Sequence, residues 1–255
     1  MIKAFKLTTT ELRMNFVQLA IFGIGVGFLR NPSIARWISK HCSVFPSTPE
    51  RNFEPLSIID WVAHYSINVY GLGVLQEMLI EQKGAQQQPR PRRKSLSLVF
   101  AMQQFMGLIV MLSHSLVDKN TAAEHALLDF GYFILQISNF ATGFVVLFPF
   151  YGWVTLLPIA HLVLKEEITF KNVSGIVLNT FALLSILASP KNDFPLLFKL
   201  SFVFMSLMPV VALKFDTSTD FGHTMASSYL SAVVVLMRAS LQNQASHGIS
   251  AKKHA

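Results

Sequence analysis

Residues 125–164 read HALLDFGYFILQISNFATGFVVLFPFYGWVTLLPIAHLVL, forty positions in which Asp129 is the only Asp, Glu, Lys or Arg. A helix needs about 20 mostly apolar residues to cross a hydrocarbon layer, so this stretch is long enough for two. At its centre, Phe148-Pro149-Phe150-Tyr151-Gly152 sets a proline and a glycine within one turn. That punctuation predicts a tight hairpin between two helices.

Working outward, apolar runs recur at 14–29, 56–80, 95–117, 173–189, 196–213 and 222–241. With 125–147 and 150–164 they make about eight candidate spans, or seven if the central hairpin is one helix. Pro46, Pro49 and Pro55 precede the second run, Ser189-Pro190 and Pro195 separate the sixth from the seventh, and Pro209 inside the seventh predicts a kink. Gly23, Gly25 and Gly27 lack the strand and the third glycine offset of a nucleotide loop, and read as a helix-packing face.

Composition excludes the other classes. Hydrophobic residues are 52% and charged residues 14%, where soluble domains carry about 25% charge. Disordered chains lack this aromatic and aliphatic content. The single cysteine, Cys42, rules out a disulfide framework and a cysteine-based zinc knuckle. The expected fold is an all-α, polytopic membrane helix bundle of one domain over 1–255, with a basic cytosolic loop at 82–94 and a cytosolic tail at 242–255. The net charge of +7 is assigned to loops facing anionic lipid, not to nucleic acid.

The chain ends Lys252-Lys253-His254-Ala255, the dilysine form of endoplasmic-reticulum retrieval signal, which coat-type retrieval machinery would read at Lys252 and Lys253. A cytosolic C-terminus with eight spans places Lys83, Arg90, Arg92, Arg93 and Lys94 in the cytosol, as the positive-inside rule prefers. The carboxylates and imidazoles then gather on the lumenal side. Asp60 and His64, His114 and Asp118, and His125 and Asp129 are each four apart, so each pair shares a helical face at a lumenal helix end. Asp220 and His223 form a looser pair three apart. Polar seams continue inward through Asn68 below Asp60, and through Tyr132, Gln136 and Asn139 below Asp129.

Intramembrane ionisable groups normally face a bundle interior or a wet cavity, and a carboxylate beside an imidazole suits general acid–base work. Asp60, His64, His114, His125 and Asp129 are therefore the candidate catalytic residues. Trp61, Asn68, Tyr132, Gln136 and Asn139 are the candidate substrate pocket, with neither cofactor nor metal expected. Aromatic walls stabilise a developing cation, so the expectation is an enzyme of lipid or isoprenoid metabolism, best a terpene (meroterpenoid) cyclase or isomerase acting by protonation. In size it compares with small multi-pass terpene cyclases of fungal secondary metabolism, an analogy of architecture without a motif match. Two alternatives stand beside it. One is a non-catalytic accessory subunit or transporter of the endoplasmic reticulum membrane. The other is a zinc-dependent membrane hydrolase using His64, His114 and His125. Asn172-Val173-Ser174 is a glycosylation sequon too close to the sixth span to be used.

Overall fold

The computed structural model describes residues 7–42, 58–83, 91–116, 121–169, 172–214 and 220–253. The described residues are helices joined by short turns and connections, with no strand among them. Ten α-helices follow in order: α1 (Thr9–Leu29), α2 (Pro32–Cys42), α3 (Ile58–Lys83), α4 (Pro91–Leu116), α5 (Ala122–Leu147), α6 (Leu156–Leu164), α7 (Val173–Ala188), α8 (Leu196–Ser206), α9 (Met208–Lys214) and α10 (Asp220–Lys253). Every expected span position is occupied by a helix. Among the described residues, four helical stretches are long and apolar enough to cross a membrane: Thr9–Leu29, Pro91–Ser113, Ala122–Leu147 and Thr224–Gln244.

The surface agrees with the membrane reading. Phe16, Ile24 and Phe28 on α1 and Val173, Ile176 and Val177 on α7 point outward, while Glu11, Asp60, Arg93 and Arg238 are buried. Apolar side chains turned outward and paired charges turned inward are the arrangement a lipid surround favours.

The predicted hairpin is present. α5 stops at Leu147, residues 148–151 turn, and a 3-10 segment at Gly152–Thr155 leads into α6. A side chain at Gly152 would run into the Phe144 carbonyl, so only glycine allows the return this close. At the far end of α6, Glu166 has a φ of 59°. Its N–H bonds to the Val163 carbonyl and that of Glu167 to Leu162, a Schellman closure built without the usual glycine. Pro209 does more than kink its run: the helix breaks at Leu207, and Pro209 occupies the first turn of α9, where its missing N–H costs nothing.

Helices α3, α4, α5, α7, α8 and α10 form a closed ring, each packed on the next, with α10 returning to α3. α1 leans over α3, α2 lies along α5, and α6 fills the hairpin beside α5. One core cluster draws on all six ring helices, including Leu72, Phe100, Val146, Ile186, Phe198 and Met237. A second joins α1, α2, α4 and α5 through Phe22, Ala35, Leu108 and Leu127.

α3 and α10 run parallel and are tied at successive levels. Ser227 donates to Asp60, Arg238 lies over the Tyr70 ring at 5.7 Å, and Gln242 donates to Glu77 at 3.1 Å. A parallel pair requires an odd number of passes between them. The hairpin at 148–151 supplies that parity, which one continuous helix over 125–164 would lose.

Three expectations are corrected. α2 was not foreseen, because it is short and carries Arg36 and Lys40 on a polar face opposite its apolar one, so it does not read as a span. The glycine face of α1 packs against nothing: added side chains at Gly23, Gly25 and Gly27 would meet no atom within 4 Å. The basic segment ends in a helix, since α4 starts at Pro91. Arg93 is fully buried, donating to the Asp193 carbonyl at 2.7 Å and to Gln244 at 2.6 Å. Residues 84–90 of that loop lie outside the described residues, as do the side chains of Lys252 and Lys253.

Gly73 of α3 is where the Glu11–Arg238 pair crosses that helix, and an added Cβ would overlap atoms of both side chains. Gly73→Ala is expected to lower stability by about 1–3 kcal/mol. Gly107→Ala, with open space around it, is expected to be neutral or stabilising by up to about 1 kcal/mol. Thermal unfolding followed by circular dichroism in detergent checks both.

Candidate functional site

Asp60 lies in the first turn of α3, where the helix dipole favours a negative charge. It is 2% exposed. Its Oδ1 accepts from the Ser227 hydroxyl of α10 and stands 3.1 Å from His64 Nδ1. The same Nδ1 is 3.0 Å from the Asp60 carbonyl oxygen. Both of those partners are acceptors, so Nδ1 carries the proton and the exchangeable ring position is Nε2. His64 is 25% exposed, and so stands between the buried carboxylate and the outside. The arrangement is a carboxylate orienting an imidazole. The serine hydroxyl bonds to the carboxylate and thereby joins α10 to the pair.

One turn along, Trp61 stacks on Tyr65 with ring centres 5.3 Å apart and planes 7° from parallel. The Tyr65 hydroxyl accepts from Asn15 of α1. Asn68 is buried and donates to Gln18 of α1 at 3.3 Å. The seam below Asp60 is thus spent largely on holding α1 to α3.

Asp129 is buried on α5, and its charge acts on Cys42 at the end of α2. Burial first, and then that charge, push the Cys42 thiol above its ordinary range. His125, one turn before Asp129, is exposed. Tyr132 is half-buried against the α6 cluster, and Gln136 is buried. Asn139 accepts from Gln103 of α4 at 2.7 Å, so this seam also serves helix packing.

The structure therefore brings Asp60 and His64 together. Asp129 and His125 lie on α5, which packs on α4 as α3 does. The side chains of His114, Asp220 and His223 lie outside the described residues, as do Asp118 and Asp216. Among the described residues, no three His, Cys, Asp or Glu converge as metal ligands would. Asn172 accepts from Gly175 N–H at 2.9 Å and donates to the Glu167 carbonyl at 2.7 Å, so the sequon asparagine is the cap of α7.

Several residues of the polar framework had no part in the expected site. Ser227 carries no sequence signal, being one serine among several on α10. Arg238 did signal itself, as a cation inside an apolar run, and Glu11 closes a capping box with Thr8. The two form an ion pair at 2.6 Å, each 1% exposed. Lys199 of α8 is likewise buried and donates to the Leu187 carbonyl at 2.8 Å and to the Ser189 carbonyl. It closes the turn after α7.

No family model matches the chain, and neither a curated protein nor a solved structure matches it.

The Cys42–Asp129 proximity has a direct readout. Removing the carboxylate in Asp129→Asn lowers the thiol pKa, so maleimide labelling of Cys42 at pH 7.5 is expected to quicken roughly twofold or more. An unchanged rate would separate α2 from Asp129.

Proposed function

We propose that the chain is an integral membrane enzyme of lipid or isoprenoid metabolism in the endoplasmic reticulum, with Asp60 and His64 as its acid–base pair. The observation that carries this reading is the geometry of His64: Nδ1 held by a buried carboxylate and an imidazole partly open to its surroundings. Within that reading, Asp60 is the positioning residue and stabilises the imidazolium, and His64 takes and returns the proton at Nε2. A proton delivered beside Trp61 and Tyr65 suits an alkene or epoxide of a prenylated substrate, since aromatic faces stabilise the cation that follows. Cyclisation or isomerisation are the reactions proposed. Asp129 and His125 are proposed as a second proton-exchanging pair at the same end of the bundle.

A second reading is a non-catalytic accessory subunit or transporter. It is favoured by the use of Asn68, Asn139 and Ser227 as bonds between helices, which a purely structural protein would also need.

Product formation from prenylated substrates and their epoxides, in membranes bearing the protein, separates the two readings. Asp60→Asn and His64→Gln are expected to lower turnover by about 100-fold or more at normal membrane levels. Ser227→Ala, which keeps the Asp60–His64 contact, should stay within about tenfold of the parent. Full turnover in both Asp60→Asn and His64→Gln ends the catalytic reading. Loss of stability in step across all three variants, with no product from the parent protein, favours the second.

A further inference from the structure

An open cleft of about 380 Å³ lies where α1 crosses α3 and α4. Met14 and Val17 of α1, Leu72 and Leu75 of α3, and Ala101 and Phe105 of α4 form its walls. The volume falls within the usual range for small-molecule sites. Thr10 and Arg13 stand at one end and Gln18 at the other. Thr10 and Arg13 are three apart on one helix face, and the eight steps of α1 from Thr10 to Gln18 give the cleft a length of about 12 Å.

The end groups define the occupant. Arg13 is exposed and has no carboxylate partner among the described residues. The nearest acid in sequence, Glu11, is committed to Arg238. Gln18 is held by Asn68, and the cleft wall itself is almost wholly apolar. Val17 is exposed, and so are its neighbours Leu12, Phe16 and Ile21. The mouth of the cleft therefore opens through an apolar surface, which in a membrane protein faces lipid and not water. A soluble anion would match Arg13 and Thr10 but leave the six apolar side chains uncovered.

We propose that this cleft binds an anionic glycerophospholipid of the surrounding bilayer. Its phosphate lies against Arg13 and the Thr10 hydroxyl, and the first part of one acyl chain lies between Met14, Leu72, Leu75 and Phe105. The site is distinct from the Asp60–His64 pair, and the proposal does not depend on the catalytic reading.

Native mass spectrometry of the full chain, released from neutral detergent with phosphatidic acid or phosphatidylcholine of matched acyl chains, tests it. The parent protein is expected to retain phosphatidic acid about fivefold better, the preference one arginine near the lipid surface supplies. Arg13→Gln should abolish that preference and Arg13→Lys should keep most of it. Val17→Trp, which fills the cleft from an exposed position, should lower retention of both lipids. An unchanged preference in Arg13→Gln, or unchanged retention of both lipids in Val17→Trp, overturns the proposal.

Discussion

The ion pair between Glu11 and Arg238 is the contact around which the helices are arranged. It joins the first turn of α1 to α10 at 2.6 Å with both side chains shielded, and it crosses α3 at Gly73, where no side chain stands in the way. A charge buried alone in such an interior costs several kcal/mol, so each partner constrains the position of the other. Neighbouring polar groups close the same layer. Thr8 bonds to Gln76 at 2.8 Å, Gln242 to Glu77, and Tyr70 underlies the guanidinium. Three helices distant in sequence are thereby fixed in register before any apolar packing is counted.

The same constraint, that every buried polar group needs a partner, explains the other end of the bundle. Asp60 carries Ser227 and His64 just as Glu11 carries Arg238 and Thr8. About 25 Å of α3 separates Asp60 from Glu77. Along it the parallel partner α10 advances in step, so the two polar layers brace one helix pair at both ends. The bracing carboxylate and the orienting carboxylate are one atom group at Asp60, which is why a catalytic and a structural role must be separated by experiment.

The fold class was legible because membrane helices announce themselves by length and composition, and Pro149 with Gly152 marked the hairpin. The Asp60–His64 contact was legible as well, since a spacing of four on one helix is a local property. What joins separate helices was not. Ser227 is chemically ordinary until α10 is laid beside α3. Arg93 looked like one charge of a solvated loop because its burial depends on Asp193 and Gln244, about a hundred and a hundred and fifty residues away. The glycines of α1 suggested packing by pattern, yet small residues permit close approach without compelling it. α2 was missed because a short amphipathic helix lying along α5 around Ala35 lacks the continuous apolar run by which a membrane span is read.

A double-mutant cycle on the Glu11–Arg238 pair, read as thermal stability in detergent, tests this organisation most directly. Glu11→Leu and Arg238→Met each strand one charge and are expected to cost about 3–5 kcal/mol, whereas the double variant strands neither and should be much closer to the parent. Losses that simply add, leaving the double variant the least stable of the three, would contradict the claim that these two side chains meet and hold α1 to α10 across α3.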